Sequence, residues 1–138
     1  ARNKSGSFMG SEFAYEDMSS QEVEKYTYKL LGEEKVDGRD TWRLERVPVD
    51  KRSGYTRQVV WNDKEYMNPL KIEYYDRKDE LLKVGTFSGY TKHGKLWRVG
   101  KIEMVNVQTK KKSILVWSGR KLGEALDESE FESDALED

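Results

Sequence analysis

His93 is the sole histidine of the 138-residue chain, and cysteine is absent. That combination removes the ordinary zinc donor sets and the Cys/His nucleophile pairs together. His93 stands beside Gly94 in a turn-like stretch, so an exposed loop residue is its expected role. No glycine-rich loop follows a strand and opens a helix, as phosphate cradling requires. The 26 acidic residues always permit a carboxylate pair, but none is embedded in an apolar stretch that would raise its pKa for acid-base work. The Asp/Asn/Gly spacing of a calcium loop is missing as well. The expectation is a protein that is not an enzyme and carries no cofactor and no metal.

What remains is the chemistry of apolar contact. Leu, Ile, Val and Phe make up 29 of the residues, close to the ~20% below which a strongly charged chain is expected to be disordered. Charged residues reach 37%. Four Trp, eight Tyr and four Phe, with a net charge of −1, argue instead for a folded chain, although its aliphatic content is thin for a closed core. The charge is also unevenly placed. Eight acids and no Lys or Arg follow from Glu124 onward, which leaves residues 1 to 123 with 25 cations against 18 acids, a net +7. A basic body of this kind suits a solvated surface, an anionic membrane or nucleic acid. Its cations are spread singly apart from Lys110, Lys111 and Lys112, which favours the solvated surface.

The elements that must position the aromatic residues follow from the period of the pattern. Ser19 and Glu22 have capping-box spacing, which predicts a short helix to about Lys25. From Tyr26 the period changes to two, with strand-like runs broken by turn signals. Asp37-Gly38 is a two-residue hairpin signal. Alternation places Tyr28, Leu30, Trp42, Leu44, Val59, Trp61, Leu70, Ile72, Tyr74, Leu82 and Val84 on one apolar face, with Lys, Arg and Glu on the other. The segment LDESEF, residues 126 to 131, reads as one turn of helix. The fold class is therefore mainly β: a curved antiparallel up-and-down sheet of about seven strands, an open half-barrel, with short helical segments at the N-terminus and near the C-terminus. Residues 1–25 form a helical lid segment, 26–120 the sheet and 121–138 an acidic tail, all within a single domain over 1–138.

Four segments in order, SFMGSEFAYEDM at 7 to 18, YTYKLLGEEKVDG at 26 to 38, PLKIEYYD at 69 to 76 and LDESEF at 126 to 131, resemble the outer-membrane lipoprotein-sorting family, the periplasmic relatives of LolA, LolB and LppX. The resemblance covers nearly the whole chain from Ser7 and corresponds to the C-terminal part of such a domain. It implies a half-barrel whose concave apolar face binds acyl chains of a lipid or lipoprotein beneath a lid, here Phe8, Met9 and Phe13. It further implies a periplasmic location, reached in relatives by a signal peptide, and, as a partner, a transporter of the resistance-nodulation-division class.

Any one of the apolar residues would serve equally well in a packed core; only a carrier needs the face left partly open. A second reading is a protein-interaction module engaged through a sheet edge. A sheet lacking its neighbouring strands also exposes an edge through which a homodimer is expected. A nucleic-acid platform is disfavoured, because Tyr28 and Trp42 alternate with Lys29 and Arg43 instead of sharing their face.

Overall fold

A computed structural model describes residues 25–118, 121–127 and 133–135. The helix expected before Lys25 and the lid residues Phe8, Met9 and Phe13 lie outside the described residues. Among the described residues eleven strands follow one another: β1 (Tyr26–Val36), β2 (Arg39–Pro48), β3 (Arg57–Asp63), β4 (Pro69–Tyr75), β5 (Leu81–Ser88), β6 (Thr91–His93), β7 (Leu96–Arg98), β8 (Lys101–Asn106), β9 (Lys111–Ser118), β10 (Lys121–Asp127) and β11 (Ser133–Ala135). All but β6 and β7 form one antiparallel sheet in the order β1-β2-β3-β4-β5-β8-β9-β10-β11, and β6 pairs only with β7. Seven strands of the main sheet lie before residue 119, as the pattern predicts. The order is linear, so the sheet is open and does not close into a barrel.

Local chemistry sets the turns. Asp37 and Gly38 both adopt positive φ, 52° and 78°, the backbone that lets a two-residue loop match the twist of its strands. The hairpin then zips from Val36↔Arg39 to Tyr26↔Pro48, with one irregularity between Leu30 and Gly32.

Directly opposed residues in an antiparallel ladder share a face, and the registers run in rows across the sheet. One row reads Leu30, Leu44, Val60, Ile72, Gly85, Met104 and Ser113. Beside it runs Tyr28, Arg46, Gln58, Tyr74, Lys83 and Asn106. On the other flank Phe87, Ile102 and Leu115 are aligned. The core sits on this face: Val60, Ile72, Tyr74, Met104 and Leu115 pack with Tyr55, and Leu82, Phe87 and Ile102 lean on them.

The structure corrects three residues of the expected face. Val59 opposes Glu45 and Glu73, Trp61 opposes Arg43 and Lys71, and Val84 opposes Glu73 and Val105, so all three lie on the opposite side. For Val84 the cause is the register change between β4 and β5 that skips Leu82; for Val59 and Trp61 it is β3 itself. Gln58, Val59, Val60 and Trp61 are all buried, so the strand shows no alternation, and a shift of one residue exchanges its faces. The outer face is covered by charged groups. Trp61 Nε1 donates to Glu34 Oε1 at 2.9 Å, Lys71 lies over the Trp61 ring at 4.7 Å, and Arg57 stacks on Tyr75 at 3.8 Å.

The sheet also continues beyond residue 120, where the pattern placed its end. Strand β10 pairs with β9, and β11 pairs with β10. Leu126 and Asp127, expected to begin a helical turn, instead close β10; residues 128–132 lie outside the described residues.

Met104 is 1% exposed and Leu30 59%. Met104→Ala is therefore expected to cost about 2–5 kcal/mol, whereas Leu30→Ala stays within about 0.5 kcal/mol. Urea denaturation of the two variants measures both; similar losses would mean that Leu30 is packed in solution.

Candidate functional site: an apolar face that opens toward one edge

Burial along the central row falls steadily toward β1. Ile72 is 3% and Val60 4% exposed, Leu44 is half-buried, and Leu30 is open to solvent. Tyr28 is exposed and Trp42 half-buried on the same side. The face is thus a closed core at β4, β5 and β8 and an accessible apolar surface at β1 and β2. Leu31, Val47 and Val49 add exposed apolar groups near that edge.

Of the residues expected to line the face, Tyr28, Leu30, Trp42, Leu44, Leu70, Ile72 and Tyr74 share it by register. Leu82, skipped where β4 and β5 change register, packs on the same core. Leu70, Ile72 and Tyr74 are buried and act as its floor. The accessible members are Tyr28, Leu30, Trp42 and Leu44. The pattern missed Val60, Tyr55, Met104 and Leu115. It also missed three polar residues on the same face, Arg46, Gln58 and Lys83, all buried. Their strand parity was the available signal, but their side-chain types read as solvent-facing.

These polar groups are organised. Arg46 Nε donates to Gln58 Oε1 at 2.8 Å, and its guanidinium lies 4.5 Å from the Tyr26 ring centre. Lys83 Nζ lies 5.2 Å from the Tyr55 ring centre and 5.8 Å from that of Tyr74. The aliphatic row is therefore flanked by a row that carries two buried cations.

A second polar centre fixes the far end of β3. The Asp63 carboxylate, 1% exposed, accepts from Arg39 Nε at 2.5 Å and from the backbone N–H groups of Glu65 and Tyr66 at 2.8 Å each. Burial works to raise its pKa, but the Arg39 hydrogen bond and the two backbone donors outweigh it and hold the group below the ordinary carboxylate range. Asp40 is held low by Lys35, and Asp76 by Gln108. Tyr90 is pushed up, first by burial and then by the charge of Asp63. Among the described residues no group of three His, Cys, Asp or Glu is placed to hold a metal ion.

An open antiparallel sheet with a one-sided apolar face defines the class of protein. The chain belongs to the family whose model, described as "Uncharacterized protein", matches residues 1–138, and it has a LolA-like fold. A solved domain from Vibrio parahaemolyticus, whose description assigns it to outer membrane lipoprotein sorting, is 49% identical with a TM-score of 0.81, covering 94% of this chain and 54% of that one. A DUF1329 family protein from Desulfovibrio piger is 36% identical with a TM-score of 0.81, over 86% of this chain and 50% of that one. A LolA superfamily protein from Nitrosomonas europaea, 23% identical over 81% of this chain and 52% of that one with a TM-score of 0.71, shares the fold. The chain spans about half the length of these solved relatives. Among curated proteins, none matches the sequence.

The depressed pKa of Asp63 gives stability that is present above the unfolded value of about 3.9 and lost as pH falls through the lower folded value. Asp63→Asn is expected to lower stability at pH 7 by about 1–3 kcal/mol and to flatten the acid limb below about pH 4. Thermal unfolding from pH 7 to pH 2 checks this; an unchanged acid limb would show that Asp63 is not held low.

Proposed function

We propose that the chain forms the ligand-holding part of a non-enzymatic periplasmic carrier, which accepts acyl chains of a lipid or lipoprotein for transfer toward the outer membrane. The observation that carries this reading is the single row that passes from the closed core at Met104 to solvent-exposed Leu30. A protein that needed only a core would bury the row to its end. Here the apolar strip emerges at an open sheet edge, where a chain can lie along Leu30, Leu44 and Trp42 without unfolding anything.

The energetics are adequate. Apolar area leaving water contributes roughly 25 cal/mol per Å², so covering one leucine side chain adds about 1.5–3 kcal/mol. A long acyl chain touching several such groups binds without any specific polar contact, which makes selectivity among chains broad. The description of the Vibrio parahaemolyticus relative as an outer membrane lipoprotein-sorting domain supports the same use, and a transporter of the resistance-nodulation-division class is the corresponding protein partner. The lack of cysteine agrees with this location without requiring it.

A second reading rests on β1, which ends the strand order among the described residues and carries exposed Tyr28, Leu30 and Leu31. An open edge with apolar groups recruits another strand, either from a partner protein or from a second copy of this chain. Light scattering that shows a monomer at tens of micromolar would exclude the second copy.

Titration with a fluorescent long-chain fatty acid tests the carrier reading. Leu30→Asp and Trp42→Ala are expected to weaken uptake about tenfold or more, while Trp61→Phe, on the opposite face, stays within about twofold. Equal losses in all three with folding intact, or no uptake by the unaltered protein, would contradict it.

A further inference from the structure

From Leu81 to Ile102 the chain contains no Asp or Glu, while Lys83, Lys92, Lys95, Arg98 and Lys101 fall within it. The middle of this stretch is the β6–β7 hairpin, the only pairing among the described strands that stands apart from the main sheet. It leaves the β5–β8 ladder through a pinch. Gly100 N–H donates to Ser88 O at 3.0 Å, Gly89 has φ +69°, and a Cβ on Gly100 would lie 2.7 Å from the Gly89 carbonyl oxygen. Only glycine permits this close backbone approach.

Beyond the pinch the hairpin is held against the β3–β4 turn. Trp97 packs on Tyr66 with ring centres 4.5 Å apart, and Tyr66 packs on Tyr90 at 4.7 Å. Asn68 Nδ2 donates to Trp97 O at 3.4 Å, and Tyr90 OH donates to Pro69 O at 2.5 Å. Register pairs Lys92 with Trp97, on the side that meets Tyr66, and pairs Thr91 with Arg98 and His93 with Leu96 on the other side. All four residues of that outer side are exposed. Leu96 is 65% exposed, and Met67, in the turn beneath, is 63% exposed. The nearby acids are already engaged: Asp63 and Glu65 bind Arg39, and Glu33 binds Lys64.

We propose that this hairpin, together with Met67, docks the protein on an anionic phospholipid surface. Exposed Leu96, exposed Met67 in the turn against which the hairpin packs, the aromatic rings of Trp97, Tyr66 and Tyr90, and cations with no carboxylate in the hairpin together have the composition of an interfacial anchor. The aliphatic tips enter the head-group boundary, the aromatic rings sit at its level, and the cations meet the lipid phosphates. The rigid seating on Tyr66 means that little ordering is needed on contact.

Co-sedimentation of the chain with large unilamellar vesicles tests the proposal. Vesicles containing phosphatidylglycerol are expected to pellet the protein at low salt and to release it at high salt, whereas pure phosphatidylcholine vesicles leave most of it in solution. The combined variant K92Q/K95Q/R98Q and the single variant Leu96→Asp are each expected to reduce partitioning tenfold or more, with unchanged thermal unfolding and unchanged fatty-acid uptake. Pelleting that ignores vesicle charge, or variants that pellet like the unaltered protein, would overturn it. Failure to pellet on either vesicle would also overturn it and leave the hairpin to an acidic protein partner. Because fatty-acid uptake is read separately, loss of membrane docking and failure of the carrier reading are distinguishable.

Discussion

Cross-strand register on β2, β3, β4, β5 and β8 is the constraint on which the rest of the molecule depends. Leu44, Val60, Ile72 and Met104 lie on one face only because each ladder is held in its observed phase. A slip of one residue in β3 would bring Val59 and Trp61 inward and turn Val60 out. Two features resist that slip. The apolar row gains by burial on one side, and on the other Trp61 is tied to Glu34 and covered by Lys71. The outer ion pairs are individually weak, each worth about 0–1 kcal/mol. Their collective effect is to make the outward side of β3 specific.

The two faces therefore do different work. The outer face is laced by ion pairs, with Arg57 between Glu45 and Asp79 and Lys112 against Glu103. The inner face is finished at β8 and unfinished at β1. The low aliphatic content of the sequence follows from this division, since a one-sided sheet needs apolar residues at alternate positions and aromatic residues fill several of them.

Legibility in the sequence tracked how cleanly each strand alternates. Asp37-Gly38 and the β1–β2 pair were readable because turn chemistry and period agree. Strand β4, alternating Leu70, Ile72 and Tyr74 with Lys71, Glu73 and Tyr75, was equally plain. Strand β3 was not, because a strand buried on both faces presents a continuous apolar run with no phase to read. Arg46, Gln58 and Lys83 were missed for the converse reason: polar side chains on a core face look outward until their hydrogen-bonding and ring partners, which come from other strands, are known. The break between β7 and β8 was hidden in a run from Lys95 to Gln108 that reads as one imperfect strand, since the close approach of Gly100 to Gly89 is a tertiary fact. Strand β10 was hidden by the acidic composition that follows Glu124.

Photo-crosslinking with a fatty acid that carries a diazirine on its chain, followed by peptide mapping, tests the central claim most directly. Adducts confined to Tyr28, Leu30, Trp42 and Leu44 are the expected result. Adducts on Val59, Trp61 or Val84 at comparable yield, or none on β1 and β2, would contradict the assignment of the open inner face as the acyl-binding surface.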